Sequence, residues 1–419
     1  MPNNPSNIPL TGTDCFILAL EKHDKNKDSS GNTCRYIIDL DGDLSLEHLK
    51  AELDKNETIQ WLSDFYIATS LFSKKWKIKK NSLIQLNKIE SETTIPQQIL
   101  KRKLNKAVPP LFCFDLIKRK NNTTTLIFSW HHLIMDGYGA VLLLKSLAKV
   151  LPSLPPKHQV ATINTTLKKA VQSKKFLDET SKGSASDLLQ NSTQKSTQSI
   201  KIIRFSKTES QQIENNAKAA KAVFGISPFY LACLSLAIKN TLTNRKEKNI
   251  NFWIPVPQDN RKKGATSPII GNHLSFLFYR IFNTDLTSIN ACVASINKQM
   301  LHQIKMALPK AYQHLMGYLK YIPSSIYYQL IKGPKGKSLS SFLFTIAADH
   351  PKELENIFGC KILNAISLPP NTYPPGVTAA FSSFNEQIQV AILYYNDVLS
   401  EDEIVQIEQD LKANLLETA

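Results

Sequence analysis

The stretch Ser129-Trp130-His131-His132-Leu133-Ile134-Met135-Asp136-Gly137 sets two adjacent histidines ahead of an Asp-Gly pair, with three apolar residues between them. Histidine titrates near neutral pH, so its imidazole can take a proton from an alcohol or an amine and return one later in the same reaction. Such a base works only when it is held in one tautomer and one orientation. An isolated histidine pair reads as core or strand-end residues with satisfied bonds. Asp136-Gly137 at this spacing shifts the reading toward general acid-base chemistry.

The flanking elements must do the positioning. TTTLIFSW before the pair is an apolar β-like run, and GAVLLLKSLAKVL after it is helix-like. A strand end joined to a helix start lets side chains reach into a cleft while packing fixes the backbone. PPLFCFDLIKRKNNTTTLIFSW reads as two strands joined by a polar Lys-Asn turn, the second feeding straight into His131. Asp136 caps the helix that follows, and Pro152 is expected to stop it. Upstream, NTCRYIIDLDG reads as a strand. The next run, LSLEHLKAELDKN, reads as a helix with Leu46, Leu49 and Leu53 on one side and Ser45 as its N-cap.

Beyond Pro152 the chain turns polar, and SKGSASDLLQNSTQKSTQS reads as a linker or exposed crossover. Strand SIKIIRFS then leads into a helix expected to end at Gly225 and a buried helix expected to be capped by Ser227. NINFWIPVP and NHLSFLFYRIF read as strands around the loop QDNRKKGATSPIIG. SLSSFLFTIAAD and EQIQVAILYYND read as further strands, and a final amphipathic helix carries a Ser400/Glu403 capping box. The organisation is therefore α/β throughout: residues 1–165 with the histidine motif, a linker over 166–198, and a second α/β unit over 199–419. The halves share no evident repeat.

A chain of 419 residues exceeds the usual size of a single core, and 42% apolar with 21% charged residues describes an ordinary folded protein. The N-terminus has no basic segment before an apolar run, so neither secretion nor membrane insertion is expected. The six cysteines lie far apart without a C-x-x-C pair and read as reduced, mostly buried thiols of a cytoplasmic protein. The net charge of +16 makes an anionic partner worth weighing against a plain solvated lysine surface. Basic runs at Lys74–Lys80, Lys101–Lys106 and Lys332–Lys337 match no nucleic-acid module, which makes nucleic acid an unlikely partner. Cofactor phosphates, an acidic carrier protein or peripheral contact with an anionic membrane fit better.

HHLIMDG resembles the HHxxxDG signature of the coenzyme A-dependent acyltransferase superfamily, which includes chloramphenicol acetyltransferases, nonribosomal peptide condensation domains and wax ester synthase/diacylglycerol acyltransferases. IPLTGTDCFILALE, GISPFYLACLSLAI and IPVPQDNRKKG followed by GNHLSFLF resemble further segments of that superfamily, in the same order. The resemblance implies two chloramphenicol acetyltransferase-like subdomains in a V-shaped pseudodimer, with a tunnel between them and the motif at its centre. It implies His132 as general base, His131 turned into the structure, and Asp136 in a structural salt bridge with Arg261. Gly137 would let the helix start approach the strand, where a Cβ would collide. Ser341 and Thr345 fall where relatives place oxyanion-stabilising hydroxyls. The run Thr345-Ile346-Ala347-Ala348-Asp349-His350 departs from the Ser/Thr-Asn-x-Pro-Gly-Pro of wax ester synthases, which puts long-chain wax or triacylglycerol activity in doubt.

The implied reaction moves an acyl group from a thioester, either acyl-CoA or an acyl carrier protein, to a hydroxyl or amine acceptor. Neither a metal nor a permanently bound cofactor is implied, because the thiolate is a good leaving group. The alternatives are a catalytically silent relative that binds a carrier or another partner protein, and a basic nucleic-acid- or anionic-membrane-binding protein whose retention on anionic ligands collapses with salt.

Overall fold

The computed structural model describes residues 10–24, 29–70, 74–90, 95–119, 122–152, 166–190, 196–331, 338–347 and 349–417. The basic run Lys332–Lys337 therefore lies outside the described residues.

In the first half, α1 (Gly12–His23) and β1 (Thr33–Asp41) are followed by α2 (Leu46–Asp54), α3 (Glu57–Ser63), β2 (Phe65–Thr69) and β3 (Lys74–Ile78). Next come β4 (Gln85–Glu90), α4 (Gln97–Leu100), β5 (Phe112–Lys118), β6 (Thr123–His131) and α5 (Gly137–Leu147). The polar segment contains α6 (Leu167–Thr180), and β7 (Gln198–Arg204), α7 (Lys207–Ala219), α8 (Ser227–Asn244), β8 (Phe252–Asp259) and β9 (Leu274–Ile281) succeed it. The chain closes with α9 (Ile289–Lys305), α10 (Leu308–Leu319), α11 (Ser324–Ile331), β10 (Leu343–Ile346), β11 (Asn356–Ile357), β12 (Cys360–Leu368), β13 (Val377–Phe384), β14 (Gln387–Tyr395) and α12 (Glu401–Leu416).

A six-stranded sheet runs β11-β12-β1-β6-β5-β4, and a four-stranded sheet runs β10-β13-β14-β7. The histidine-bearing β6 is central in the first, between β1 and β5, with Thr33 opposite His131 and Cys34 opposite Trp130. One core spans α1, β1, α2, α3, β5, β6 and α5; a second spans α7, α8, β8, β9, β13, β14 and α12. Strand pairing does not respect a division at 199: β11 and β12 come from the later part of the chain yet pair beside β1. The later part of the chain thus lends a strand pair to the first sheet.

Local chemistry explains where elements begin and end. Thr11, Ser45, Asp136, Ser206 and Ser400 each accept a backbone N–H of the helix they start. Ser227 does not: it is the first residue of α8, the cap position is Ile226, and Pro228 leaves no N–H at the second position for a cap to bind. The stops also differ from expectation. Helix α5 ends at Leu147, well before Pro152, and α7 at Ala219, before Gly225. Lys149 and Lys221 take left-handed backbone conformations there, and Val150 N–H returns to Lys145 O as Ala222 N–H returns to Ala217 O. The linker is not wholly extended, since α6 packs along α10, where the Ser173 hydroxyl donates to Ala311 O.

Strand β9 is held from the side by a helix. Gln299 and Gln303, one turn apart on α9, each accept from and donate to the main chain of Arg280 and Phe278 respectively, at 2.8–2.9 Å. Their amides take the place of a neighbouring strand.

Candidate active site

Both motif histidines have pinned main chains: His131 N–H donates to Leu111 O at 2.8 Å and His132 N–H to Asn32 O at 2.7 Å. Their side chains diverge. His131 is buried, its Nδ1 accepts from Leu133 N–H at 3.2 Å, and its Nε2 therefore carries the proton toward the Glu21 carboxylate, 3.6 Å away. Burial would raise the Glu21 pKa, but His131 and Lys106, the latter at 2.9 Å, outweigh it and hold the group at about 2. His132 instead lines a cavity. Burial lowers its pKa, offset in part by its own main chain, by the Asp136 charge and by Asn272. Its Nδ1 is buried and has no hydrogen-bond partner among the described residues.

Asp136 works as a hub. Its Oδ1 caps α5 through Gly139 N–H at 2.9 Å, and its Oδ2 accepts from His273 N–H at 2.8 Å and from Arg261 Nη1 at 2.9 Å. The Asp136 and Arg261 side chains are almost fully buried, 1% and 3% exposed. A charged pair that deep persists only when its remaining hydrogen-bonding groups are also satisfied. Arg261 meets this by donating to Pro268 O and Asp259 and by stacking over the Tyr138 ring, 5.3 Å from its centroid.

Asn272, Asp14 and Gly271, none given a role from sequence, complete the cradle. Asn272 donates through Nδ2 to His132 O at 2.8 Å and to Asp14 Oδ1 at 2.9 Å, and its N–H also binds Asp14. Burial raises the pKa of Asp14, while Asn272 and Thr11 pull the other way. Gly271 N–H donates to Ile134 O at 2.7 Å, in a parallel bridge beside Met135. The segments LTGTDCF and GNH therefore clamp the motif loop from two sides. Their signal was present in the quoted resemblance, but a buried Asp-Asn contact over 258 residues has no local spacing to betray it.

The cavity measures about 350 Å³ and draws its walls from both sheets and both cores. Phe16, Ile17 and Leu20 of α1 face Pro255, Pro257, Leu274 and Phe276 of the β8–β9 hairpin and Phe344 of β10. Cys34 borders it as well, but burial pushes that thiol pKa well up, so it serves as wall and not as thiolate. All six cysteines are free thiols, five of them buried.

Of three expected positions, two fall out differently. A Cβ built on Gly137 would meet nothing within 4 Å, so no collision demands a glycine there; Gly137 borders the cavity. The close approach belongs to Gly139, where a Cβ would stand 2.5 Å from Ile269 O. Ser341 does not border the cavity: its N–H and hydroxyl bind Trp253 O and N–H at 2.9 and 3.0 Å, extending the contact with β8. Thr345 does border it, its hydroxyl making only a long 3.5 Å bond to Ile346 O.

Residues 72–314, more than half of the chain, match the condensation-domain family. No curated protein matches the sequence. Among solved structures, the first condensation domain of the calcium-dependent antibiotic synthetase is similar at 13% identity and a TM-score of 0.66, over 99% of this chain and 98% of that one. A trichothecene 15-O-acetyltransferase from Fusarium sporotrichioides is similar at 14% identity and a TM-score of 0.70, over 99% of both chains. The starter condensation domain of rhizomide synthetase, solved with C8-CoA and Leu-SNAC, is similar at 14% identity and a TM-score of 0.67, over 99% of this chain and 95% of that one. At such identities the structural matches establish the fold, while the family match over 72–314 makes this chain a member of the condensation-domain family.

Proposed function

We propose that the protein transfers an acyl group from an acyl thioester to a hydroxyl or amine, with His132 as general base. The observation that carries this reading is the placement of His132: its imidazole lines an apolar cavity bounded by both α/β units, while buried polar contacts lock the backbone beneath it. In this reading the imidazole accepts the proton, and no described residue takes up its buried Nδ1. The depressed pKa keeps the imidazole lone pair free at neutral pH.

The acceptor O–H or N–H gives its proton to His132 as its heteroatom attacks the thioester carbon. The carbonyl electron pair moves onto oxygen, where the Thr345 hydroxyl is the candidate donor. Collapse breaks the C–S bond, and the departing thiolate takes the proton back from the imidazolium, leaving a thiol and an ester or amide. Asp136 relays no proton in this scheme, because Oδ1 is bound to Gly139 N–H and Oδ2 to Arg261 and His273 N–H. The walls suit an apolar acyl chain or acceptor body, since a buried charge without a partner is costly. Acyl-CoA and a carrier-bound thioester both fit the donor role, and the rhizomide relative solved with C8-CoA supports a thioester.

The test is a panel of acyl-CoA and carrier-bound donors of graded chain length with mixed alcohol and amine acceptors, read by mass spectrometry. Acceptor-dependent ester or amide supports the reading. Binding of a carrier or partner protein without product from any donor favours the silent relative.

A further inference from the structure

We infer that Asp259 selects an acceptor that carries a positive charge apart from its attacking group, as an amino alcohol or a diamine does. The inference rests on the acyl-transfer reading and names the acceptor class for that site. It starts from the charge of the cavity wall. Apart from the titratable His132, Asp259 is the only charged residue among the described ones that border the cavity.

Strand alternation turns the Asp259 side chain toward that cavity. Pro255, Pro257 and Asp259, each two residues apart along β8, all border it, while Ile254 and Val256 point the other way into the second core. Across the hairpin Phe276 and Leu274, the register partners of Pro257 and Asp259, border it too. The carboxylate is only half engaged. Its Oδ1 accepts from Arg261 N–H at 2.9 Å and from Arg261 Nη1 at 3.1 Å, and its Oδ2 has no hydrogen-bond partner among the described residues. The same Nη1 donates to Asp136 Oδ2 at 2.9 Å, so two carboxylates share one guanidinium and one negative charge is left over. The Arg261 side chain is 3% exposed and does not border the cavity, whereas that of Asp259 is 32% exposed. The cavity therefore meets the carboxylate without its counter-charge. Lys262 and Lys263 follow in the same loop, but both are exposed and neither borders the cavity.

That arrangement decides what the site takes. An anionic acceptor, or a phosphate of the donor, would meet an uncompensated carboxylate beside apolar walls, where charges interact more strongly than in water. A neutral alcohol would leave the carboxylate without a cation. A cationic acceptor supplies the missing charge and a charge-assisted N–H bond to Oδ2. The anchoring nitrogen cannot also be the nucleophile, because an ammonium has no lone pair. The acceptor therefore needs a second heteroatom, a hydroxyl or a neutral amine, which gives its proton to His132 and attacks the thioester carbon. Its carbon spacer then lies against apolar wall residues such as Pro257, Leu274 and Phe276.

The experiment reads binding apart from turnover. Isothermal titration calorimetry compares a cationic, a neutral and an anionic probe of similar length, 6-aminohexan-1-ol, 1,6-hexanediol and 6-hydroxyhexanoate, on the full chain of wild type, Asp259→Asn and His132→Ala. At low salt, wild type should bind the amino alcohol about tenfold more tightly than the diol and the hydroxy acid least, with the preference shrinking as salt rises. Asp259→Asn keeps an oxygen for the Arg261 donors but removes the charge, and should bind amino alcohol and diol alike. His132→Ala should keep the wild-type preference, since binding does not need the base. Circular dichroism establishes that the variants are folded, and the wild-type ranking with its salt dependence tests the inference even if Asp259→Asn is not. Equal binding of amino alcohol and diol by wild type, a preference that survives in Asp259→Asn, or no binding of any probe would each overturn the inference. Cation preference without acylated product from any thioester donor would contradict acyl transfer alone, whereas acylated product without that preference would contradict the role of Asp259 alone.

Discussion

At the scale of single residues, His132, Gly137 and Gly139 make separable demands. Burial lowers the His132 pKa, so its base form persists to lower pH than in an ordinary histidine near 6.5. The acidic limb of kcat/KM should therefore fall below that value, as a pH-rate profile would read; a limb at or above it would remove His132 as the titrating base. Gly139→Ala drives a Cβ against Ile269 O, 2.5 Å away, and should cost about 1–3 kcal/mol by denaturant unfolding. Gly137→Ala should leave stability unchanged and alter KM, since its Cβ enters open space at the cavity wall. The family resemblance made Gly137 the expected crowded position. The crowding atom belongs to residue 269, and spacing within a seven-residue motif carries no information about so distant a neighbour.

At the scale of elements, the site depends on two anchors that join α1, β6, α5 and the β8–β9 connection. Asp136→Ala strands Arg261 in a buried position with only Asp259 as carboxylate partner, and frees the N–H groups of Gly139 and His273. A loss of roughly 3 kcal/mol in chemical denaturation is expected, together with lost activity. The second anchor is acid-sensitive. The Glu21 pKa falls from 4.5 to about 2 on folding, so its contribution is complete above the unfolded value and vanishes as pH drops from 4.5 toward 2. Glu21→Gln should flatten the acid limb of the stability curve in that window, with a neutral-pH loss of roughly 3 kcal/mol at most. Helix starts were readable at this scale because caps are local: Asp136, Ser45 and the Ser400/Glu403 box each bond within three residues. Helix ends were not, because left-handed Lys149 and Lys221 stop α5 and α7 where neither residue type announces it.

At the scale of the whole molecule, the cavity is a product of two α/β units that neither could form alone: α1 and β6 supply one wall, and β8, β9 and β10 the other. The periodicity of the sequence shows both units and the polar segment between them, and the Asp136–Arg261 pairing entered through family resemblance. The crossing of β12 into the first sheet was invisible, since β12 looks like any amphipathic strand and its partner β1 lies more than 300 residues away. The cavity therefore requires both units, and the proposed acyl transfer would take place where they meet at His132. The most direct test is the rate of acceptor-dependent thiol release by wild type and by His132→Ala, with unfolding curves taken for both. The account predicts that the variant folds with near-native stability and loses release by about 100-fold or more. Equal acceptor-dependent release from both proteins would contradict it.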